Sequence, residues 1–351
     1  MDKITIVAHG LGNGGAERVA SILANGLCDA GYKIQYISVY NNIVTYELNS
    51  SIEYIYLNEE TPNKLAKYLN RSMRLFRIIN EFEPNEVISF LTQEMLLTSI
   101  FSKKKIIFSE RTDPSAKPKY LQRITEFVYK RAYRVVFQTY GAREYFDSEI
   151  QEKGYIIANP MEENLPEWDM ENHNKDIITA CRITPEKNLE MMIKGFAWCS
   201  SKFPDYRLVI YGTPRYEEAQ TQLEQLAKSL DLDGRVLFPG FSKDIRSDMA
   251  NAAMFVLTSN YEGLSNSMLE ALCIGVPTIC TDCPSGGARQ YIADGQNGFL
   301  VSVDDDVQLG KKMIMLLNDE GLQSKVSMNS KILKDELRVG KIIDSWIEIL
   351  E

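Results

Sequence analysis

Histidine is scarce in this 351-residue sequence: His9 and His173 are the only two. The six cysteines (28, 181, 199, 273, 280 and 283) fall in apolar segments or loops without the spacing of a disulfide framework. Cys280-Thr-Asp-Cys283 is a C-x-x-C, but no second pair and no histidine cluster accompanies it. That argues against zinc and for reduced thiols at the end of a buried strand. Long apolar runs are also missing, since none approaches the ~18–20 residues of a transmembrane helix. The start, Met1-Asp-Lys-Ile-Thr-Ile-Val-Ala8, reads as a strand, so no signal peptide is expected and a cytoplasmic location is. Low-complexity tracts and short internal repeats are absent.

What is present is the composition of a globular protein, 44% hydrophobic and 25% charged. The length exceeds one ordinary core and fits two domains of about 150–180 residues. The net charge of −9 is uneven: residues 1–163 carry 20 Lys/Arg against 20 Asp/Glu, and residues 164–351 carry 19 against 28. Residues 61–134 alone hold 15 basic and 7 acidic side chains. The overall acidity argues against nucleic acid as a partner, while the local positive segment fits an anionic partner or membrane surface.

Short apolar runs alternate with helical patterns. Strands are predicted at 4–8, 34–39, 53–57, 86–90, 106–109, 134–138 and 155–158, with helices over 15–30, 64–82, 94–101, 120–132 and 142–146. Strands follow at 177–181, 207–211, 236–238, 254–258, 278–281 and 298–301, with helices near 188–203, 216–230, 244–250, 266–274 and 305–318. This is an α/β chain of mostly parallel sheets, and two doubly wound Rossmann-like domains facing across a cleft is its simplest architecture. The polar stretch 160–175 reads as the linker, giving an N-terminal domain over 1–163 and a C-terminal one over 164–330. Residues 331–351 read as helical, with an apolar stripe of Ile342, Ile343, Trp346, Ile349 and Leu350 that packs on its own domain or crosses back to the first.

The segment 255–277 carries most chemistry. An apolar strand leads into Glu262-Gly-Leu-Ser265, then a helix containing Glu270, with Ser265 or Asn266 suited to its N-cap. A small-residue loop at a helix N-terminus binds anions through backbone N–H groups, and two carboxylates beside it suit sugar or ribose hydroxyls. In Cys181-Arg-Ile-Thr-Pro-Glu-Lys-Asn188, Arg182 ends a strand and Lys187 starts a helix, where two cations can clamp a diphosphate. Taken alone they read better as two solvated loop charges. The turn Pro239-Gly-Phe241 exposes backbone that can read a base edge, although turn and core needs explain it as well. Gly10-Leu-Gly-Asn-Gly-Gly-Ala-Glu17 follows the first strand, but lacks G-x-G-x-x-G spacing. No acid ends the second strand either, which disfavours a nicotinamide dehydrogenase.

Together these residues resemble glycosyltransferase family four, retaining enzymes of the GT-B fold that include bacterial transferases of polysaccharide and lipid-linked oligosaccharide synthesis. The resemblance is carried by Gly14-Gly-Ala-Glu17, Arg182 with Lys187-Asn188, Glu262-Gly-Leu-Ser265 with Glu270-Ala271, Gly275-Val-Pro277, Thr281-Asp-Cys-Pro-Ser-Gly286, and Asp294-Gly295 with Asn297-Gly-Phe-Leu300. It implies a catalytic set of Glu262, Arg182 and Lys187, the two cations on the donor diphosphate and Glu262 on the donor sugar. It implies donor contacts at Gly14, Gly15, Gly212, Phe241, Gly263, Leu264, Ser265 and Glu270, with Glu270 on the ribose. A metal or other cofactor is not implied, the nucleotide-sugar being a substrate; Asp231-Leu-Asp233, a D-x-D, suits a helix-ending loop.

The chain departs from the family pattern at Ser109-Glu-Arg-Thr-Asp-Pro114, where Arg111 stands in place of a histidine found in many relatives. Glu110, Arg111 and His9 are therefore the acceptor-side candidates, although His9 reads better as a buried structural histidine. The turn Tyr211-Gly-Thr-Pro214 lacks a second glycine. The resemblance implies transfer of a hexosyl or N-acetylhexosaminyl group, from UDP-sugar by preference, to a glycan acceptor expected to be lipid-linked, in bacterial surface polysaccharide or capsule synthesis. Basic residues interleaved with apolar ones over 61–134 add an expected peripheral contact with anionic lipid at the inner membrane face. A nucleotide-sugar epimerase of the same fold and a catalytically degenerate partner subunit are the rival readings.

Overall fold

Each expected apolar run forms a strand in the computed structural model, which describes residues 2–12, 14–57, 64–90 and 104–350. The first seven are β1 (Lys3–Ala8), β2 (Lys33–Ser38), β3 (Glu53–Tyr56), β4 (Glu86–Phe90), β5 (Lys105–Ser109), β6 (Arg134–Phe137) and β7 (Gly154–Ile156). They make one parallel sheet in the order β3-β2-β1-β4-β5-β6-β7. The rest are β8 (Asp176–Ala180), β9 (Arg207–Tyr211), β10 (Val236–Gly240), β11 (Met254–Leu257), β12 (Thr278–Thr281) and β13 (Phe299–Val301), in the parallel order β10-β9-β8-β11-β12-β13. Strand order reverses at β1 in one sheet and at β8 in the other. The crevice beyond the carboxyl ends at such a reversal is where doubly wound sheets bind ligands.

Met1–Pro160 with Arg338–Glu351 forms one compact unit and Met161–Leu337 the other. In the first, helices Lys64–Phe82 and Lys119–Lys130 cover the same sheet face, since Leu75 and Ile79 of one and Val128 and Tyr129 of the other share a core with Val87, Phe108 and Val135. Each also turns an apolar stripe outward: Leu69, Met73 and Phe76 on one, Tyr120, Ile124 and Phe127 on the other, the last 64% exposed. Helix Gly15–Asp29 packs against Val339–Glu348, with Ile343 filling the space where a Cβ on Gly26 would lie, at 2.5 Å. Trp346 is fully buried and stacks on Phe90.

The structure corrects the sequence reading in three places. Residues 160–175 do not form a free polar linker. Leu165 and Trp168 are buried, the Trp168 backbone N–H donates to Ile274 O, and its indole N–H donates to Ala252 O at 2.8 Å. Two apolar anchors thus dock a polar stretch onto the second unit. Residues 331–351 form two helices, Leu333–Glu336 and Val339–Glu348, rather than one. Helices Ser148–Glu152, Gly287–Tyr291 and Glu320–Ser330 were not legible, two being a single turn or so and the third weakly amphipathic. The helix expected over 94–101 lies outside the described residues.

Candidate active site

In the second unit the candidate residues follow neighbouring strands at the reversal point. β8 runs into Cys181 and Arg182, then a 3₁₀ turn, Pro185–Lys187, and Asn188, whose side chain caps helix Leu189–Ser200 by accepting from Met191 N–H. β11 beside it runs into Thr258–Glu262 and the loop to helix Asn266–Ile274. The two loops are tied together: Thr258 Oγ1 donates to Lys187 O at 2.9 Å, Asn260 N–H to Glu186 O, and Asn188 Nδ2 to Asn260 Oδ1 at 2.7 Å. These bonds hold Lys187 in an ion pair with Glu262, whose Oε2 also accepts from Ser259 Oγ at 3.1 Å. Burial works to lower the Lys187 pKa, but the Glu262 charge and hydrogen bond outweigh it and hold the ammonium above its usual value. It is therefore a firm cation at neutral pH. Arg182 is exposed and enters no ion pair among the described residues.

Small residues set the loop's shape. Ser285 Oγ donates to Glu262 O, and a Cβ on Gly287 would lie 2.3 Å from Gly263 O, so the Ser285–Gly287 backbone packs directly on the Glu262–Gly263 peptide. Gly263, Leu264 and Ser265 are buried, and Ser265 is the N-cap, accepting from Met268 N–H. Gly275 ends that helix with φ +91. On the other side of β8, Gly212 (φ +139) passes so close to Cys181 O that no side chain fits. Its N–H donates to Gly240 O at 2.8 Å, and the next residue, Phe241, is 71% exposed, a turn residue rather than a core one.

Glu270 is buried and paired with Arg246, whose Nε donates to Oε1 at 3.1 Å while its two terminal nitrogens donate to both oxygens of Glu162. Hydrogen bonds to Glu162, helped by Glu270 and opposed by burial, hold the guanidinium pKa above its usual value. Sequence reasoning passed over Arg246 and Glu162. The need for a cation was legible, because an acid in the apolar run Met268-Leu-Glu-Ala-Leu-Cys-Ile274 cannot be buried alone. Its identity was not, since Arg246 arrives from another helix, Ile245–Ala250.

In the first unit Gly14 is the extended N-cap of helix Gly15–Asp29, with Glu17 folded over it so closely that a Cβ would meet Oε2 at 1.8 Å. His9 is not buried: it is partly exposed and stacks on Tyr40, with ring centroids 5.1 Å apart, while the Arg71 guanidinium lies over Tyr40 at 4.4 Å. Glu110 is 1% exposed and engaged internally by Lys117, Thr112 and the Tyr129 hydroxyl at 2.8 Å. Burial acts to raise its pKa, but Lys117 and those bonds prevail and hold it below the usual value. That makes it part of the frame rather than a surface an acceptor can touch. Arg111 is buried as well, donating to Ser109 Oγ at 2.7 Å and Asn159 Oδ1 at 2.9 Å and lying against Phe90, with one terminal nitrogen lacking a partner. Burial presses its pKa down to about 9, with Glu110 opposing.

A family model described as "Glycosyl transferases group 1" matches residues 160–332, the unit that holds the Lys187–Glu262 pair. Over its whole length the chain is 25% identical to an uncharacterized glycosyltransferase of Haemophilus influenzae, of which it covers 100%. It is also 25% identical to the Campylobacter jejuni N-acetylgalactosamine-N,N'-diacetylbacillosaminyl-diphospho-undecaprenol 4-alpha-N-acetylgalactosaminyltransferase, covering 94% of each chain. Among solved structures, Anabaena HepE in complex with UDP and glucose superposes with a TM-score of 0.87 at 18% identity, over 100% of this chain and 99% of that one. Two parallel sheets with this order and this superposition are the GT-B fold. Through residues 160–332 the chain belongs to the glycosyl transferases group 1 family, and it is a glycosyltransferase.

Proposed function

We propose that the chain is a retaining transferase that moves a sugar from a UDP-sugar to a hydroxyl of a lipid-linked glycan in bacterial surface polysaccharide synthesis. The observation that carries this reading is the Lys187–Glu262 pair, a cation and an acid on adjoining loops beyond β8 and β11, which suits a diphosphate beside a sugar. The names of the relatives support it, one acting on a diphospho-undecaprenol-linked substrate and one holding UDP and glucose.

In this reading Lys187 and Arg182 take the charge that builds on the departing diphosphate, so no metal is required to hold it. Glu262 and the Gly263–Ser265 backbone orient the sugar, and Glu270 receives the ribose. The bond from the anomeric carbon to phosphate breaks as the acceptor oxygen bonds to the same face. The leaving phosphate oxygen takes the acceptor proton, so no side-chain base is needed. Outward stripes on helices Lys64–Phe82 and Lys119–Lys130, set among basic residues, rest on the anionic membrane that carries the acceptor.

Release of UDP from UDP-glucose, UDP-GlcNAc and UDP-GalNAc in the presence of undecaprenyl-diphosphate-linked acceptors tests the transfer. Lys187→Ala and Glu270→Ala should each lower turnover at least ~100-fold with folding retained. Near-normal turnover in both refutes the assignment, and the product's anomeric configuration decides retention. Flotation with anionic vesicles at low salt tests the membrane contact, which absence of binding would rule out.

A further inference from the structure

Glu270 is 5% exposed, and a carboxylate so far from water needs a cation in fixed geometry. Arg246 supplies one bond to it and two to Glu162, at 2.6 and 2.8 Å. A guanidinium is planar, so two bonds to one carboxylate fix the direction in which its Nε points. Glu162 is itself on anchored backbone, because the adjacent Met161 N–H donates to Leu337 O at 2.7 Å. Short helix Ile245–Ala250 lies along helix Asn266–Ile274, which brings Arg246 to the side of Glu270. The chain thus spends a bidentate pair, on a half-exposed acid, to aim a guanidinium at a buried one.

We infer that Arg246, held by Glu162, is a positioning residue that sets the plane of the Glu270 carboxylate and thereby the selectivity for the ribose hydroxyls of the donor. The inference rests on the reading of Glu270 as the ribose ligand. A carboxylate recognises a vicinal diol only when its oxygens face both hydroxyls. Without the guanidinium the buried acid is free to turn, and the diol loses its advantage over a deoxy analogue.

Calorimetric titration of the full chain with UDP and with 2′,3′-dideoxy-UDP tests this. The wild type should prefer UDP by roughly tenfold or more, and Glu270→Gln should abolish the preference. Arg246→Gln should reduce it to within about threefold, Arg246→Lys should recover part of it, and the double variant should be no worse than Glu270→Gln alone. Pyrophosphate affinity, which reads the two cations, should stay at the wild-type value in all of them. A retained preference in Arg246→Gln, with Glu270→Gln having lost it, overturns the inference and leaves the ribose assignment standing. A wild type that does not distinguish the nucleotides overturns the ribose assignment itself. Should Arg246→Gln not fold, Glu162→Gln keeps the test open: an unchanged preference there overturns the role given to Glu162.

Discussion

Lys187 and Glu262 are each other's solvent, and the Lys187 contribution to stability depends on pH in one direction. The folded pKa of Lys187 lies above its ordinary value, so its stabilising contribution is complete below the unfolded lysine pKa of about 10.4 and fades as pH rises through the folded one. Lys187→Ala should lower stability in urea unfolding by about 1–3 kcal/mol. That difference should be flat from neutral pH to about pH 9 and shrink only in stronger base. Arg111 has the opposite sign. Its folded pKa is depressed to about 9, so the fold works against its charge, and that penalty lifts as pH rises past this value. Arg111→Met should accordingly leave the melting temperature unchanged or raise it, since apolar replacement of a buried, incompletely paired charge is neutral or favourable. Normal acceptor KM in that variant would make Arg111 framework, and a raised KM would make it an acceptor contact. The sequence pattern showed where acids and cations fall, because loops after strand ends carry function. It did not show that Glu110 turns inward, which depends on Lys117 and Tyr129 meeting it in three dimensions.

Among the elements, strands were legible because both sheet faces are covered and a buried strand tends to an unbroken apolar run; β11, Met-Phe-Val-Leu, is buried at every position. Single-turn helices such as Gly287–Tyr291 leave no such period, yet this one shapes the site. Its first residue touches Gly263 O, so Gly287→Ala should displace the Glu262–Ser265 loop while leaving the sheet intact. Weakened UDP binding with a melting temperature within a few degrees of wild type is the expected result, read by titration and thermal unfolding. Unchanged binding would mean that the loop gives way without consequence. Glu162 marks the limit of legibility: it sits in a stretch whose composition says linker, and only the docking of Leu165 and Trp168 reveals that stretch as part of the second unit.

For the molecule as a whole, alternation of strands and helices predicted two α/β domains, but not where the chain's last helix belongs. An apolar stripe requires a partner without naming it, and the partner is Gly26 and its neighbours on helix Gly15–Asp29. A fragment ending at Pro160 should therefore expose Phe90 and the Gly26 face and bind a hydrophobic dye. Adding a peptide of residues 338–351 should suppress that signal, and a fragment that is fully native alone would contradict this. The same return of the chain imposes an order of events during synthesis. Arg338 is made about 180 residues after Pro160, which at ~5–20 residues per second leaves the first sheet waiting ~10–35 s for Trp346. The second unit, continuous in the chain, can close in that interval, so the part begun first on the ribosome is the part finished last.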